Sequence, residues 1–273
     1  MKNNIFIVVL LLFFFPISTS AQLHTADTAF KEGFAMHVTS VSEFMHRFNG
    51  EQFHPDFANA DESVKRVSNL MMLFDLKSNE VRSKEKLVCD FVNHVDTNNL
   101  SLSFADTLWY AQVNCDIRYK DTDYNIDLFL KPERVEGDIF RWAIVGVRDF
   151  FGNVIKPRKW RLIDSTDNEL DFIVLQDRFK YDSKYAYSYR SIQTKLDQLS
   201  VFLTLVYEGS ITLEQAEVIS YHFFSVPGYY FAIERIERKS NNTGWLISDI
   251  NSFVDKKVEQ EFRYKLLGGD VDL

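Results

Sequence analysis

A four-residue motif and the hairpin that follows it occur twice in this chain. The first copy, Glu-Arg-Val-Glu, begins at Glu133, and the second, Glu-Arg-Ile-Glu, begins at Glu234. Each is followed by a polar turn and by apolar residues at matching strand positions: Trp142, Ile144, Val147 and Phe150 in the first copy, and Trp245, Ile247, Ile250 and Phe253 in the second. A unit that recurs at this separation indicates two related halves. The repeat concerns architecture, and no catalytic or cofactor motif accompanies it.

The hydrophobic period before the first copy is helical. Over residues 27–48 the apolar side chains recur at three- and four-residue steps, which places them on one stripe of a helix. An Asn-Gly pair directly after this stretch is a typical helix stop. The same spacing predicts helices over residues 62–76 and, with Ser83 as N-cap, over residues 84–95.

From Leu108 the hydrophobic period changes to two. Alternating apolar and polar residues predict a strand over residues 108–119 with one buried face. A turn at residues 120–123 leads into further strands over residues 124–131 and 140–144. Helices followed by an antiparallel meander predict an α+β fold, in which the curled sheet wraps the helix that precedes it in the chain.

The pattern divides the chain into four regions. Residues 1–21 form a signal peptide, residues 22–150 a helical-plus-meander half, residues 151–190 a connecting segment with one helix, and residues 191–273 a second, shortened α+β half. In the second half we predict a helix over residues 192–206, strands over 217–225, 229–238 and 244–250, and a tail helix over 253–267. Thr212 to Gln215 matches the capping box that often opens a helix.

The amino terminus predicts export. One lysine, an apolar run over residues 5–15 and small residues up to Ala21 are typical of a secretory signal peptide cleaved near Ala21. The mature protein is therefore expected in the periplasm or outside the cell. A disulfide between Cys89 and Cys115 is permitted there, and two buried thiols are the alternative.

Composition excludes several classes of protein. The formal net charge is -8, with 39 acidic residues against 31 basic ones, so the chain repels phosphate backbones and nucleic-acid binding is not expected. No second apolar run approaches the length of a membrane span. An aromatic content of 15%, with only 10 Gly and 5 Pro, is typical of a folded core and excludes a low-complexity chain.

The order of helix, Asn-Gly or Glu-Gly stop, and antiparallel meander ending in Trp-x-Ile resembles the nuclear transport factor 2-like (cystatin-like α+β) superfamily. The resemblance covers residues 26–150, and residues 191–253 in outline. It implies helices packed on curled antiparallel sheets, with a pocket in the hollow between helix and sheet. It also implies a homodimer paired through the exposed sheet face, by analogy with the fold. Uncharacterised exported bacterial proteins show a similar pattern, which implies a fold and no activity.

The pocket candidates follow from that resemblance. His37 lies on the apolar stripe of the predicted first helix, between Phe34 and Val41, while Trp142 and Trp245 close the two sheets. An imidazole in such a hollow could act as an acid or base near neutral pH. A hydrogen-bonded core histidine is the alternative interpretation.

Four tyrosines in the connecting segment form a second candidate surface. Tyr181, Tyr185, Tyr187 and Tyr189 lie beside basic residues, and tyrosine provides a large apolar face and a hydroxyl with little loss of entropy. A loop packed over a core is the alternative interpretation of the same cluster.

The remaining polar residues do not predict chemistry. His222 alternates with aromatic neighbours and is expected on the sheet surface. Glu133 and Glu136 are three residues apart on a strand, so they point to opposite faces, and cross-strand ion pairing is the better interpretation. No two histidines have helical zinc-site spacing, so neither a metal nor a cofactor is predicted.

Together these features favour an exported, non-catalytic binding or assembly protein whose ligand or protein partner is unknown. A small pocket enzyme that uses His37 as acid or base is the alternative from a different class.

Overall fold

The computed structural model describes residues 37–52, 61–137, 139–155, 180–181, 197–239 and 242–269. Within these ranges the chain forms six helices and one seven-stranded sheet, so the fold is mixed α+β. None of the helices in the described ranges is long and apolar enough to cross a membrane.

The sheet joins two antiparallel meanders edge to edge. Its strands are β1 (His37–Val38), β2 (Trp109–Tyr119), β3 (Thr122–Glu136), β4 (Ile139–Arg148), β5 (Ile211–Phe223), β6 (Tyr229–Ile236) and β7 (Thr243–Ser252). Their order is β1-β7-β6-β5-β2-β3-β4. The first meander, β2 to β4, meets the second, β5 to β7, through the antiparallel pair of β2 and β5. The short β1 pairs in parallel with β7 at the far edge.

The helices are α1 (Val41–Phe48), α2 (Glu62–Met72), α3 (Asn79–Ser83), α4 (Glu85–Thr97), α5 (Gln198–Tyr207) and α6 (Lys256–Leu266). Side-chain caps fix several of their starts, because a cap oxygen accepts a backbone N–H that has no partner inside the helix. Ser40 caps α1 by accepting from the backbone N–H of Glu43, Asp197 caps α5, and Asp255 caps α6.

The helices before the first meander pack on the second meander. One core cluster contains the buried apolar faces of α1, α2 and α4 together with β5, β6 and β7. Phe44 of α1 stacks on Phe223, and Phe91 of α4 meets Phe231 edge to face at 5.5 Å between ring centroids. The hollow between these helices and the sheet is therefore filled by aromatic rings.

The helix between the meanders packs on the first one. Phe202 of α5 and the segment after β4 form a separate cluster with Cys115, Ile117 and Leu128 of the first meander. The prediction that each sheet wraps the helix preceding it is thus wrong. The helices that precede each meander in the chain pack on the other meander: α1, α2 and α4 on the second, and α5 on the first. Sequence order does not determine which apolar faces meet, because the two meanders are joined in one sheet.

The two hairpins that carry the repeated motif share one irregularity. Val145 of β4 has no partner on β3, and Ser248 of β7 has no partner on β6, so each hairpin contains a one-residue bulge. Each bulge lies three residues after the tryptophan of its own repeat.

The register of the two hairpins differs. Trp142 lies opposite Pro132, the residue before the motif, whereas Trp245 lies opposite Arg235, the second residue of the motif. The two registers thus differ by two residues. Because strand side chains alternate with a period of two, each tryptophan still lies on the same face relative to the motif residues of its own hairpin.

Three local predictions need correction. Residues 37–38 form β1 and Ser40 is the cap of α1, so the first helix does not extend through His37. The cap of α4 is Lys84, and Ser83 ends the short α3. The capping-box match at 212–215 lies inside β5, because pairing with β2 overrides that local helix signal.

The two cysteines are not bonded to each other. Neither forms a disulfide, and they belong to different clusters, Cys89 on α4 and Cys115 in the first meander. Burial, with smaller contributions from Asp127 and Asp116, raises the pKa of the Cys115 thiol to about 11. This thiol is therefore protonated and unreactive at neutral pH.

Candidate functional site

A network of polar side chains crosses the face of the sheet opposite the helical core. Its centre is His222 of β5, which is only 5% exposed, with Tyr230 of β6 on one side and Gln112 of β2 on the other. Helix α6 contributes Phe262, whose ring lies 4.9 Å from that of Tyr230, to a small apolar cluster on this face. The prediction that His222 lies on the sheet surface is wrong, because this face is covered.

The hydrogen bonds of the network fix the tautomer of His222. Gln112 Nε2 donates to Asp127 Oδ2 at 2.9 Å, so Gln112 Oε1 faces the imidazole and accepts from His222 Nε2 at 2.8 Å. His222 Nδ1 then accepts from the hydroxyl of Tyr230 at 2.9 Å. Ser220 also donates to Gln112 Oε1 at 3.0 Å, so the imidazole does not serve as a base toward this hydroxyl.

Burial keeps His222 neutral. Desolvation, reinforced by the positive charge of Arg148, lowers the pKa of its imidazole to about 4. Burial likewise raises the pKa of the Tyr230 phenol above its usual range. Both groups are therefore uncharged near pH 7, as the hydrogen bond between them requires.

Asp127 is the anchor of the network. This carboxylate is 7% exposed and accepts from Gln112, from Asn114 Nδ2 at 2.9 Å and from Arg148 at 2.5 Å. The guanidinium of Arg148 also lies over the ring of Phe129, 5.1 Å from its centroid. A buried carboxylate needs a partner of this kind, because an isolated charge away from water is very costly.

The network continues from Asp127 to the protein surface. Asn114 and Asn125 exchange side-chain hydrogen bonds at 2.8 and 2.7 Å, and Asn125 also donates to Asp116 Oδ1 at 2.9 Å. Primary amides hold geometry but do not pass protons along a chain. The network is therefore suited to positioning side chains and not to proton transfer.

A charged cleft opens where the network reaches the surface. It encloses about 470 Å³ at the tip of the β2–β3 hairpin, beside the first half of β5. Its lining is Asp116, Ile117, Arg118, Asp123, Tyr124, Asn125 and Glu214. Arg118 is held between two carboxylates, at 2.8 Å from Asp123 and 3.3 Å from Glu214. Three carboxylates and one guanidinium line the cleft, so the cleft is acidic.

The hairpin tip that forms the cleft has a defined backbone. Lys120 and Asp121 both have positive φ, 51° and 60°, which is the geometry of a type I′ two-residue turn. This turn fixes the register of β2 and β3, in which Asn114 lies opposite Asp127 and Asp116 lies opposite Asn125. Asp116 and Arg118 are exposed, as their strand pattern predicts.

The described residues contain no group of three or more His, Cys, Asp or Glu side chains that could hold a metal ion. The acidic cleft itself contributes carboxylates spread around an arginine. A metal ion that took both Asp123 and Glu214 as ligands would have to displace Arg118 from its two ion pairs.

His37 does not occupy the environment assumed for it. It is exposed on β1, beside Thr243 of β7, and the helical stripe begins after it at Val41. The interpretation of His37 as an acid or base on an apolar helical face therefore loses its premise. Val41 is partly buried against the aromatic core, and Phe34 lies outside the described residues.

The two candidate tryptophans lie in contrasting surroundings. Trp245 is 9% exposed and its ring lies 4.9 Å from that of Tyr221. Trp142 is 46% exposed, with its ring edge to face against Trp109 at 5.4 Å. Their role as pocket residues stays a prediction.

The other candidates are only partly covered by the structure. Tyr181 is 74% exposed beside Lys180, whose ammonium lies 4.9 Å from the centre of its ring. Tyr185, Tyr187 and Tyr189 lie outside the described residues, so the tyrosine surface stays a prediction. The expected cross-strand ion pair of the first motif copy is confirmed, since Arg141 of β4 lies 3.2 Å from Glu133.

The sequence did contain a signal for the network. Gln112, Asp127, Ser220 and His222 all occupy positions on one face of adjacent strands. Tyr110 and Tyr230 lie on that same face, and the tail helix is amphipathic. Aromatic residues beside polar ones on a supposedly solvated face indicate a cover, which the single-strand alternation could not show.

Comparison with known proteins identifies no relative. No protein-family model, no curated protein and no solved structure matched this chain.

Proposed function

We propose that this chain is a non-catalytic binding protein whose ligand site is the acidic cleft at the tip of the β2–β3 hairpin. The observation that carries the proposal is the hydrogen-bonded connection between the cleft and the buried anchor. Asp116 and Asn125 line the cleft, and their side chains are held through Asn114 by the Asp127–Arg148 pair. Binding groups that are held in place before the ligand arrives lose less entropy when it binds.

The chemistry of the lining favours a small polar ligand with ammonium or hydroxyl groups. Three carboxylates and an amide oxygen accept hydrogen bonds, Arg118 donates them, and Tyr124 offers an aromatic face at the edge. The overall charge of -8 also favours cations over anions near the surface. The buried imidazole of His222 supports a structural role, because it lies under cover and its nitrogens are already engaged.

Export and fold relationship belong to the same proposal. The signal-peptide pattern supports export to the periplasm or beyond, and the bulges at Val145 and Ser248 support a common origin of the two hairpins. The nuclear transport factor 2-like resemblance concerns element order, and the exchange of helices between the meanders is a departure from it.

A ligand screen tests the cleft. The mature protein is screened by thermal shift against polyamines, amino sugars, neutral sugars and dicarboxylates, since a ligand that binds only the native state raises the melting temperature. We expect amines or amino sugars to raise it and dicarboxylates to have no effect.

The variants Asp123→Asn and Glu214→Gln remove charge from the cleft with little change of shape. We expect each to weaken the ligand by about tenfold, as loss of one charged hydrogen bond predicts. Glu261→Gln, on the exposed surface of α6, is the matched control and should leave binding unchanged. The proposal fails if no ligand class shifts the melting temperature, or if all three variants bind like the wild type.

A further inference from the structure

The first half of β5 has a free edge. β6 pairs with β5 only from Ser220 to Phe223, while residues 211–219 continue beside β2. Within the described part of the chain, no strand lies against the other side of that stretch. Residues 212–219 are all exposed. The sheet is therefore forked, with a gap between this part of β5 and the end of β6.

The type I′ turn determines which backbone groups face the gap. In this hairpin type the closing pair, Tyr119 and Thr122, exchanges backbone hydrogen bonds. The backbone N–H and C=O groups of odd-numbered residues of β2 therefore point to β3, and those of even-numbered residues point to β5. The backbone N–H of Phe224 donates to the carbonyl of Leu108 at 2.8 Å, which agrees with this assignment.

The same alternation carries over to β5. Gln215 and Glu217 lie opposite Asp116 and Asn114, so their backbone groups point to β2. Ala216 and Val218 therefore turn their N–H and C=O groups toward the gap.

The side chains along this edge alternate in character. Leu213 and Val218 lie on the face of the helical core and are 51% and 36% exposed. Glu217 lies on the polar face, and Glu214 occupies a bulge next to Arg118. No lysine or arginine lies between residues 211 and 219. An apolar row and an acidic row therefore flank a set of outward-pointing backbone groups.

The charges along the free edge of β5 determine which kind of strand can pair with it. Two copies of the same edge would bring the glutamates of both chains together, and like charges across a strand pair are destabilising. A strand with basic side chains on one face and apolar ones on the other would oppose each row with its complement. An added strand gains affinity from main-chain hydrogen bonds and specificity from alternate side chains.

We propose that the free edge of β5 binds an extended peptide segment with alternating basic and apolar residues, which adds to the sheet as a strand beside Ala216 and Val218. This surface is distinct from the small-ligand cleft, although Glu214 borders both.

A labelled peptide tests the proposal. The probe has about nine residues, alternating lysine and valine, to match the length of the free edge, and its binding to the mature protein is measured by fluorescence anisotropy. Ala216→Pro removes the outward N–H without breaking a bond to β2, and we expect it to weaken binding about tenfold or more. Ala216→Val keeps the N–H and is the matched control, with affinity close to that of the wild type.

Charge and location are tested separately. A peptide that alternates glutamate and valine should bind at least about tenfold more weakly than the lysine peptide. Amide hydrogen exchange of the wild-type protein should show that the lysine peptide protects residues 213–219. This second measurement does not depend on the folding of the proline variant.

Several outcomes would overturn the proposal. These are equal binding by Ala216→Pro and Ala216→Val, equal binding of the two peptides, or protection located elsewhere in the chain. A dimer of the free protein that Ala216→Pro dissociates would assign the edge to a second copy instead.

Discussion

The two tryptophan hairpins share a sequence motif and a bulge position, yet one is buried and the other is half exposed. Trp245 is 9% exposed, and Trp142 is 46% exposed. Around Trp245 the helical core closes over β6 and β7, whereas the tip of the β3–β4 hairpin keeps Val135 and Ile139 more than 60% exposed. The motif therefore specifies a hairpin, and its burial depends on which helices lie above it.

That dependence is non-local. Helices α1, α2 and α4 precede the first meander in the chain but cover the second. Both carboxylate oxygens of Asp75 accept from Nη2 of Arg238, at 2.5 and 2.6 Å, and this pair links the turn after α2 to the segment after β6. The first hairpin has the surface pair of Glu133 and Arg141 instead. The second hairpin is thus covered by α1, α2 and α4, whereas α5 packs on the first hairpin and leaves its tip exposed.

The tryptophans give the largest expected difference between the hairpins. Trp245→Ala should reduce the free energy of unfolding by about 3–5 kcal/mol, because a large buried aromatic leaves a cavity. Trp142→Ala should cost about 1–2 kcal/mol, in proportion to its smaller buried area. Urea unfolding followed by circular dichroism measures both. Equal losses would show that the helices do not distinguish the hairpins.

The ion pairs give a second comparison. Asp75 is 5% exposed, so Arg238→Ala leaves a buried carboxylate without its partner and should cost about 3 kcal/mol. Arg141→Ala breaks an exposed pair and should cost about 0–1 kcal/mol. Thermal and urea unfolding of both variants compares the two pairs. A loss at Arg141 as large as that at Arg238 would contradict the asymmetry.

The third comparison concerns the polar face of the sheet, where His222 makes the free energy of unfolding depend on pH. The pKa of His222 is about 4 in the folded chain against an ordinary value of 6.5, so the unfolded chain takes up its proton first as the pH falls. Stability is full above pH 6.5 and is lost on acidification, by about 2 kcal/mol between pH 7.5 and pH 5 for this group. Urea unfolding at several pH values measures the loss.

His222→Gln removes this titration and keeps a neutral hydrogen-bonding side chain. Its free energy of unfolding should therefore fall less than that of the wild type between the same two pH values. If both proteins lose stability in parallel, the pH dependence comes from other groups, and the burial of His222 has no energetic role.

Local elements were largely predictable from sequence. The period of two identified β2, the helical period identified α2 and the tail helix, and the Asn-Gly pair marked the end of α1. These signals are short-range, since they depend on which face of one element is apolar. The mixed α+β class followed from them.

The candidate site was harder to predict because it is built across strands. Asp127, Gln112 and His222 come from three strands whose order in the sheet the sequence does not state. Two residues at the edges show the same limit. His37 was assigned to a helix although its partner Thr243 lies near the other end of the chain. Thr212 matched a helix cap although it pairs with Arg118 of β2 in the sheet.

The exchange of helices between the meanders has a consequence for biosynthesis. The apolar faces of α1, α2 and α4 leave the ribosome long before β6 and β7, against which they pack. At ordinary translation rates that interval is on the order of ten seconds. During it the nascent chain exposes the apolar faces of these helices with no native surface to cover them, so a chaperone, or delayed folding after complete synthesis, is expected to be needed for good yield.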